Sequence, residues 1–229
     1  MTTHEMRSRG ETKSFQSLSR YKMPWTKNPN HERGKVQLRH DKLFLDGKTC
    51  SIDNLDSLPV EFRPETLCTK TNNNITEFFR RGSPLSNHYI CQFTLNGERY
   101  NSAEQYLMTT KAELFGDHDS VVAIKRESNP RVQKELGKKV KNFNRDTWIS
   151  EAPRILFNGL LEKFKQNDNL TSYLLGTGRT SIVEANPNDL LFGAGVSRES
   201  PQIWHKENWK GKNILGMALE KVRTALSEQ

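Results

Sequence analysis

The chain has 229 residues, of which 34% are hydrophobic and 27% charged, and its formal net charge is +8. This length suits one domain with an extension or two small domains, and the low apolar fraction predicts that part of the chain is unpacked. The basic balance favours polyanionic partners such as nucleic acid or phosphorylated metabolites. Because no signal-peptide core or membrane-spanning apolar run is found, we expect an intracellular protein of the cytoplasm or nucleus, with no membrane partner.

Three segments differ in composition. Residues 1–34 are polar and basic without apolar periodicity, which predicts a disordered extension that is either a weak nucleic-acid-binding arm or a solvated tail. Residues 35–74 form a small unit with alternating apolar positions, a hairpin signal at Asp46-Gly47 and a polar linker. Residues 75–229 carry the main domain.

The main domain alternates short strands with longer helices. Strands are predicted at 75–79 and 181–185, and a hairpin at Asn96-Gly97. The helices begin at Ser102, near 113, at Asn129-Pro130, in the amphipathic run 146–167, at 169 with a stop at Gly176 or Gly178, and at 214. Turn-rich loops connect them at 80–88, 186–195 and 208–213. The pattern predicts a mostly helical α+β fold.

The helix that starts in NSAEQYLMTTKA brings an acid and a base together. Ser102 can cap it and Gln105 completes a capping box. Glu104 then lies in the first turn, where the helix dipole favours a carboxylate. Lys111 follows seven residues later on the same face, with Met108 between them. The alternative is a surface helix whose acid and base face solvent.

Other residues offer further chemistry. Glu104, Glu184 and Asp189 lie at element edges, where paired carboxylates suit hydrolysis of a glycosidic bond; for Asp189 an Asx turn is the alternative. The six histidines and three cysteines show no metal-ligand spacing, so no metal site is expected. Lys163 and Lys165 fit either a basic rim or a solvated helix face.

Six blocks in order resemble the NADAR, or YbiA-like, family over about residues 75–226: EFFRRGSPLSNHY, FTLNGERYNSAEQYLMTTKAELFGD, NPRVQKELGKKV, KFKQNDNL, LLGTGRTSIVEANPNDLLFGAG and WKGKNILGMALEKVR. The resemblance implies a compact, mostly helical α+β fold and cleavage of N-glycosidic bonds to ribose, without a cofactor. Implied substrates are phosphoribosylamino intermediates of riboflavin biosynthesis or ADP-ribosylated guanine in nucleic acid.

The resemblance also assigns site residues. It places Glu104 and Asp189 as the catalytic pair, and as substrate-binding residues Ser86, Asn87, Lys111, Phe192, Gly193, Gly195, Trp209 and Asn213. The family commonly has Trp where this chain has Phe192, which keeps a stacking ring but loses an N–H donor. Trp204 and Trp209 are candidates to compensate.

Two principal hypotheses follow. The first is a metal-independent N-glycoside hydrolase in which Glu104 activates water, Asp189 stabilises an oxocarbenium-like transition state, and Lys111 with N–H groups of 193–195 holds phosphate. The second is a non-catalytic module that binds ADP-ribose or a nucleotide and contacts nucleic acid through the basic first 70 residues. A third, a fragment of a mobile element, rests only on the hairpin near Asp46.

Overall fold

The structure is a computed structural model that describes residues 68–228 and, before them, the backbone of three short strands. These strands are β1 (Val36–Arg39), β2 (Lys42–Leu45) and β3 (Lys48–Cys50), paired antiparallel in that order. Leu45 pairs with Lys48, so two residues connect β2 and β3, as the hairpin signal at 46–47 predicted. The predicted disordered extension, residues 1–34, lies outside the described residues.

The described domain is mostly helical, which confirms the predicted α+β class. Its strands are β4 (Thr69–Thr71), β5 (Ile75–Phe78), β6 (Phe93–Leu95), β7 (Glu98–Tyr100) and β8 (Ser181–Glu184). Its helices are α1 (Ala103–Leu114), α2 (His118–Arg126), α3 (Pro130–Lys138), α4 (Arg145–Lys165), α5 (Asp168–Gly176) and α6 (Ile214–Ser227). None of the helices in this part of the chain is long and apolar enough to cross a membrane.

Local chemistry explains where several elements begin and end. Asn96 and Gly97 both have positive φ, 53° and 81°, as a type I′ turn requires, and they join β6 to β7. Asn129 caps α3 by accepting from the Arg131 N–H, with Pro130 in the first turn. Of the two predicted stops of α5, Gly178 is the residue with left-handed φ, 62°.

The core forms where α1 and α4 pack face to face. The apolar positions predicted along α4 are buried: Trp148, Ile155, Leu156, Leu160 and Phe164. Close approach depends on glycine, because a Cβ at Gly159 of α4 would lie 2.2 Å from the Tyr106 ring of α1.

The sheet β4-β5-β8 explains how distant segments meet. All four residues of β5 are buried, as predicted for 75–79, and β5 pairs with β8 in parallel. Phe78 pairs with Glu184, so both strands end at the same edge of the sheet. The loops that follow β5 and β8 consequently leave from one place, and they carry the residues described next.

Candidate active site

A small cavity of about 40 Å³ lies where β5 and β8 end. Its walls come from both loops, from α1 and from single residues of α3 and α6. The lining residues are Ser86, Asn87, His88, Glu104, Leu107, Met108, Lys134, Glu184, Asp189, Phe192 and Leu215. Of the ten predicted site residues, the cavity therefore brings together Glu104, Asp189, Ser86, Asn87 and Phe192.

The start of α1 is fixed by several hydrogen bonds. Ser102 Oγ accepts from the Gln105 N–H at 3.1 Å, which confirms the predicted cap. Gln105 Oε1 accepts from the Asn101 N–H instead of the Ser102 N–H, so the capping box is displaced by one residue. The Gln105 amide also donates to carbonyls at the end of α2. The Glu104 N–H donates to the Asn87 carbonyl at 2.9 Å, which ties α1 to the loop after β5.

The Glu104 carboxylate is buried but incompletely paired. Its side chain is 3% exposed, so the alternative in which it faces solvent is wrong. Its Oε2 lies 3.4 Å from His88 Nε2. Its Oε1 and the Asn87 Oδ1 are both buried and accept no hydrogen bond from any described residue. An unpaired buried polar group costs about 1–3 kcal/mol, so two such acceptors on one cavity point to a ligand or water that donates to them.

Asp189 combines a local and a site-facing role. Its Oδ1 accepts from the N–H groups of Leu191 and Phe192, at 3.1 and 2.8 Å, so the Asx-type turn does describe its local geometry. Its Oδ2 lies 3.4 Å from Lys134 Nζ on the cavity wall. The same turn therefore fixes the Asp189 carboxylate and positions the Phe192 ring.

Phe192 and Ser86 complete the predicted residues on the cavity wall. The Phe192 ring meets Trp148 edge to face, with centroids 6.4 Å apart. Ser86 Oγ accepts from the His88 N–H at 3.1 Å, which shapes the turn after β5. The cavity lining thus combines one aromatic ring with hydroxyl and amide side chains, a combination suited to a polar molecule with an apolar ring.

Glu184 is the third carboxyl group of the cavity, and the family resemblance did not assign it. It ends β8, where Asn213 Oδ1 accepts from its N–H at 3.2 Å. The side chain is half-buried, and this desolvation, followed by the nearby charge of Asp189, raises the pKa of Glu184 to about 7. Its place at a strand end beside a glycine-containing loop was the one signal in the sequence that pointed to it.

Lys134 is the cation of the cavity, and the sequence did not single it out. It projects from α3 toward Asp189. Burial acts to lower the pKa of Lys134, but the charges of Glu104, Asp189 and Glu184 together raise it above its ordinary value. Lys134 is therefore an ammonium ion that partly neutralises the three carboxyl groups.

Two predicted binding residues lie elsewhere. The Lys111 side chain is buried, its Nζ donates to the Gly137 carbonyl at 2.8 Å and lies 4.2 Å from the centre of the Phe143 ring, and burial lowers its pKa. Trp209 packs in a second apolar cluster, where its Nε1–H donates to the Ile203 carbonyl at 3.0 Å. Neither lines the cavity, so the proposed compensation for Phe192 by Trp209 has no geometric basis.

The remaining predicted residues, Gly193, Gly195 and Asn213, are not among the residues that line the cavity, and two of them connect the loop after β8 to the start of α6. The Gly193 carbonyl accepts from the Asn213 N–H, while the next two N–H groups of α6 donate to the carbonyls of 191 and 192. The Ala194 N–H donates to the Glu184 carbonyl at 2.9 Å. A Cβ at Gly193 would lie 3.1 Å from two backbone oxygens, so glycine permits this close packing.

Lys163 corrects both interpretations that the sequence offered for it. It is neither a rim residue nor a solvated one, because its side chain is fully buried. Its ammonium group donates to the Pro84 and Ser86 carbonyls at 2.6 and 2.9 Å. Burial lowers the pKa of Lys163 to about 8. It therefore fixes the loop that presents Ser86 and Asn87 to the cavity.

Comparisons with known proteins show the family of the chain. The NADAR domain model matches residues 77–227, and the chain belongs to the NADAR family. N-glycosidase R617 of Acanthamoeba polyphaga mimivirus is 42% identical over 132 residues, which are 56% of this chain and 78% of that protein. N-glycosidase YbiA of Escherichia coli is 28% identical over 143 residues, 62% of this chain and 81% of the relative.

Two further similarities extend the comparison. The NMR structure of E. coli YbiA superposes with a TM-score of 0.58 at 25% identity, covering 75% of this chain and 94% of YbiA. Riboflavin biosynthesis protein VVA0006 of Vibrio vulnificus is 27% identical over 176 residues, which are 74% of this chain but 44% of that protein.

In the described part of the chain, no group of three or more His, Cys, Asp or Glu residues could hold a metal ion.

Proposed function

We propose that the protein hydrolyses the N-glycosidic bond between a base-like leaving group and a phosphorylated ribose or ADP-ribose. Its class is that of a hydrolase acting on N-glycosyl compounds, the activity named in two relatives of which it covers most of the length. The observation that carries the proposal is the buried Glu104 carboxylate on the cavity wall, whose Oε1 accepts no hydrogen bond from any described residue. A water at the anomeric carbon would supply that donor.

Each group on the wall suits one part of such a reaction. Glu104 accepts the proton of the attacking water, since one of its oxygens is unpaired. Asp189, held by two N–H groups, offers a fixed negative charge to the developing oxocarbenium ion. Asn87 Oδ1 accepts from a ribose hydroxyl. Phe192 gives a ring against which a base or sugar stacks.

The size and charge of the cavity limit what enters it. About 40 Å³ corresponds to roughly three water molecules. A cavity of this size suits the reacting end of the sugar, and the phosphate and most of the leaving group would then lie outside it. Three carboxyl groups against Lys134 also leave the cavity unsuited to a phosphate. If Lys111 and residues 193–195 hold the phosphate, they hold it at a site outside the cavity.

Product formation separates the hydrolase from the non-catalytic module. Purified protein would be incubated with an oligonucleotide that carries ADP-ribosylated guanine and, separately, with a 5-phosphoribosylamine of riboflavin-pathway type. Chromatography with mass detection would measure the released base or sugar, and calorimetry would measure binding of ADP-ribose. Release from either substrate supports the hydrolase and names its branch. Binding of ADP-ribose without release of product from either substrate supports the non-catalytic module.

A further inference from the structure

The three carboxyl groups of the cavity differ in what surrounds them. Glu104 faces His88 at 3.4 Å. Asp189 has two N–H donors and faces Lys134. Glu184 forms no ion pair with any residue that the structure describes, although it lines the same cavity. Of the three, Glu184 has the least compensation for a negative charge.

Charge repulsion then decides where a proton stays. Three carboxyl groups around about 40 Å³ face one lysine and one histidine, so ionising all three is unfavourable. The groups that face Glu184 are Asp189 on its own loop, Lys134 on α3, Glu104 on α1 and His88 after β5. The pKa of Glu184, raised to about 7 chiefly by burial, agrees with the charge distribution. Pairs of acids held in different protonation states are how enzymes divide acid and base roles.

We infer that Glu184 is the proton donor to the nitrogen of the leaving group, an inference that rests on the proposed hydrolase function. As the bond from the anomeric carbon to nitrogen breaks, its electron pair stays on nitrogen, which takes the proton of Glu184. Water adds to the anomeric carbon and gives a proton to Glu104. Glu184 leaves the step ionised and Glu104 protonated, and proton exchange with solvent restores both. The net reaction adds one water across the bond.

The pH dependence of kcat/KM tests this assignment. A required protonated acid gives an alkaline limb, along which activity falls as pH rises through about 7. We expect the Glu184→Gln variant to lose about 10²–10⁴-fold in rate and to lose that limb, because an amide holds no transferable proton. Glu184→Asp keeps a carboxyl group, so we expect partial activity with the limb retained.

A leaving-group comparison gives a second readout. An anilino group must be protonated to leave, whereas a pyridinium group leaves as a neutral molecule. We expect Glu184→Gln to lose at least tenfold more rate on the N-ribosyl anilide than on the N-ribosyl pyridinium compound. An alkaline limb that persists in Glu184→Gln, or equal losses on both compounds, would overturn the inference. Wild-type protein that cleaves neither these compounds nor the substrates above would instead count against the proposed function.

Discussion

Replacing Glu184 by glutamine should change the free energy of unfolding in a way that depends on pH. The pKa of this group is about 7 in the folded chain against an ordinary 4.5. Because the folded state holds the proton more tightly, the stabilising contribution of neutral Glu184 is complete below pH 4.5 and is lost as pH rises through 7. At 1.36 kcal/mol per pH unit, the difference amounts to about 3 kcal/mol.

The assay is urea denaturation of both proteins at intervals from pH 4.5 to 8.5. Glutamine is neutral throughout, so the variant should gain up to about 3 kcal/mol relative to wild type across this range. Glu135→Gln is the matched control on α3, where the hydrogen bond from Lys138 lowers the pKa of an exposed carboxyl group below 4.5. Its difference from wild type should therefore change little between pH 4.5 and 8.5, and in the opposite direction. A difference between Glu184→Gln and wild type that stays flat with pH would refute the assigned burial and protonation.

Three further substitutions test the frame of the site. Lys163→Met removes the ammonium donor of the Pro84 carbonyl and one of the two donors of the Ser86 carbonyl, which keeps the Tyr89 N–H. We therefore expect a loss of about 1–3 kcal/mol by urea denaturation, whereas the exposed Lys165→Met should change stability by under about 0.5 kcal/mol. Gly216→Ala places a Cβ 1.9 Å from a backbone oxygen of β8 and should cost about 1–3 kcal/mol, while Gly176→Ala meets nothing within 4 Å and should not destabilise the chain. Phe192→Ala removes the ring on the cavity wall, and kcat/KM measured with the cleaved substrate should fall about 5- to 100-fold. Equal urea denaturation curves for either matched pair, or an unchanged kcat/KM for Phe192→Ala, would contradict the corresponding role.

The sequence predicted the elements of the domain well because their signals are local. The caps and turns at Ser102, Asn129 and Asn96-Gly97 involve only neighbours a few residues away. They can therefore be predicted from the sequence alone. The apolar spacing of α4 is local in the same sense. These are the features that the structure reproduces at the predicted positions.

The meeting of the loops that follow β5 and β8 could not be predicted from local sequence. It depends on parallel pairing of β5 with β8, which are far apart in sequence and whose registers no local pattern records. Family resemblance supplied Glu104 and Asp189, and the structure adds Glu184 and Lys134 to the same cavity. Glu184 was visible as an acid at a strand end, but its partial burial was not.

The hydrogen-bond partners of Lys163 and Lys111 could not be predicted from the sequence. Lys163 is a polar residue beside Phe164 on a predicted amphipathic helix. Nothing in the local sequence shows that its ammonium group donates to two loop carbonyls. Lys111 lies on the same helix as Glu104, yet its ammonium group donates to the Gly137 carbonyl. In both cases the partner is a backbone oxygen, which every residue carries and which leaves no mark on the sequence.

The role of Glu104 can be tested most directly by measuring how fast free base is released by wild type, Glu104→Gln and Glu113→Gln. Glu113 lies on the same helix but is exposed and lines a different cavity, so it controls for the loss of a carboxyl group on α1. We expect Glu104→Gln to lose about 10²–10⁴-fold in kcat while Glu113→Gln stays near wild type, with all three melting cooperatively. Equal release by Glu104→Gln and wild type would contradict the assignment of Glu104 as the group that activates water.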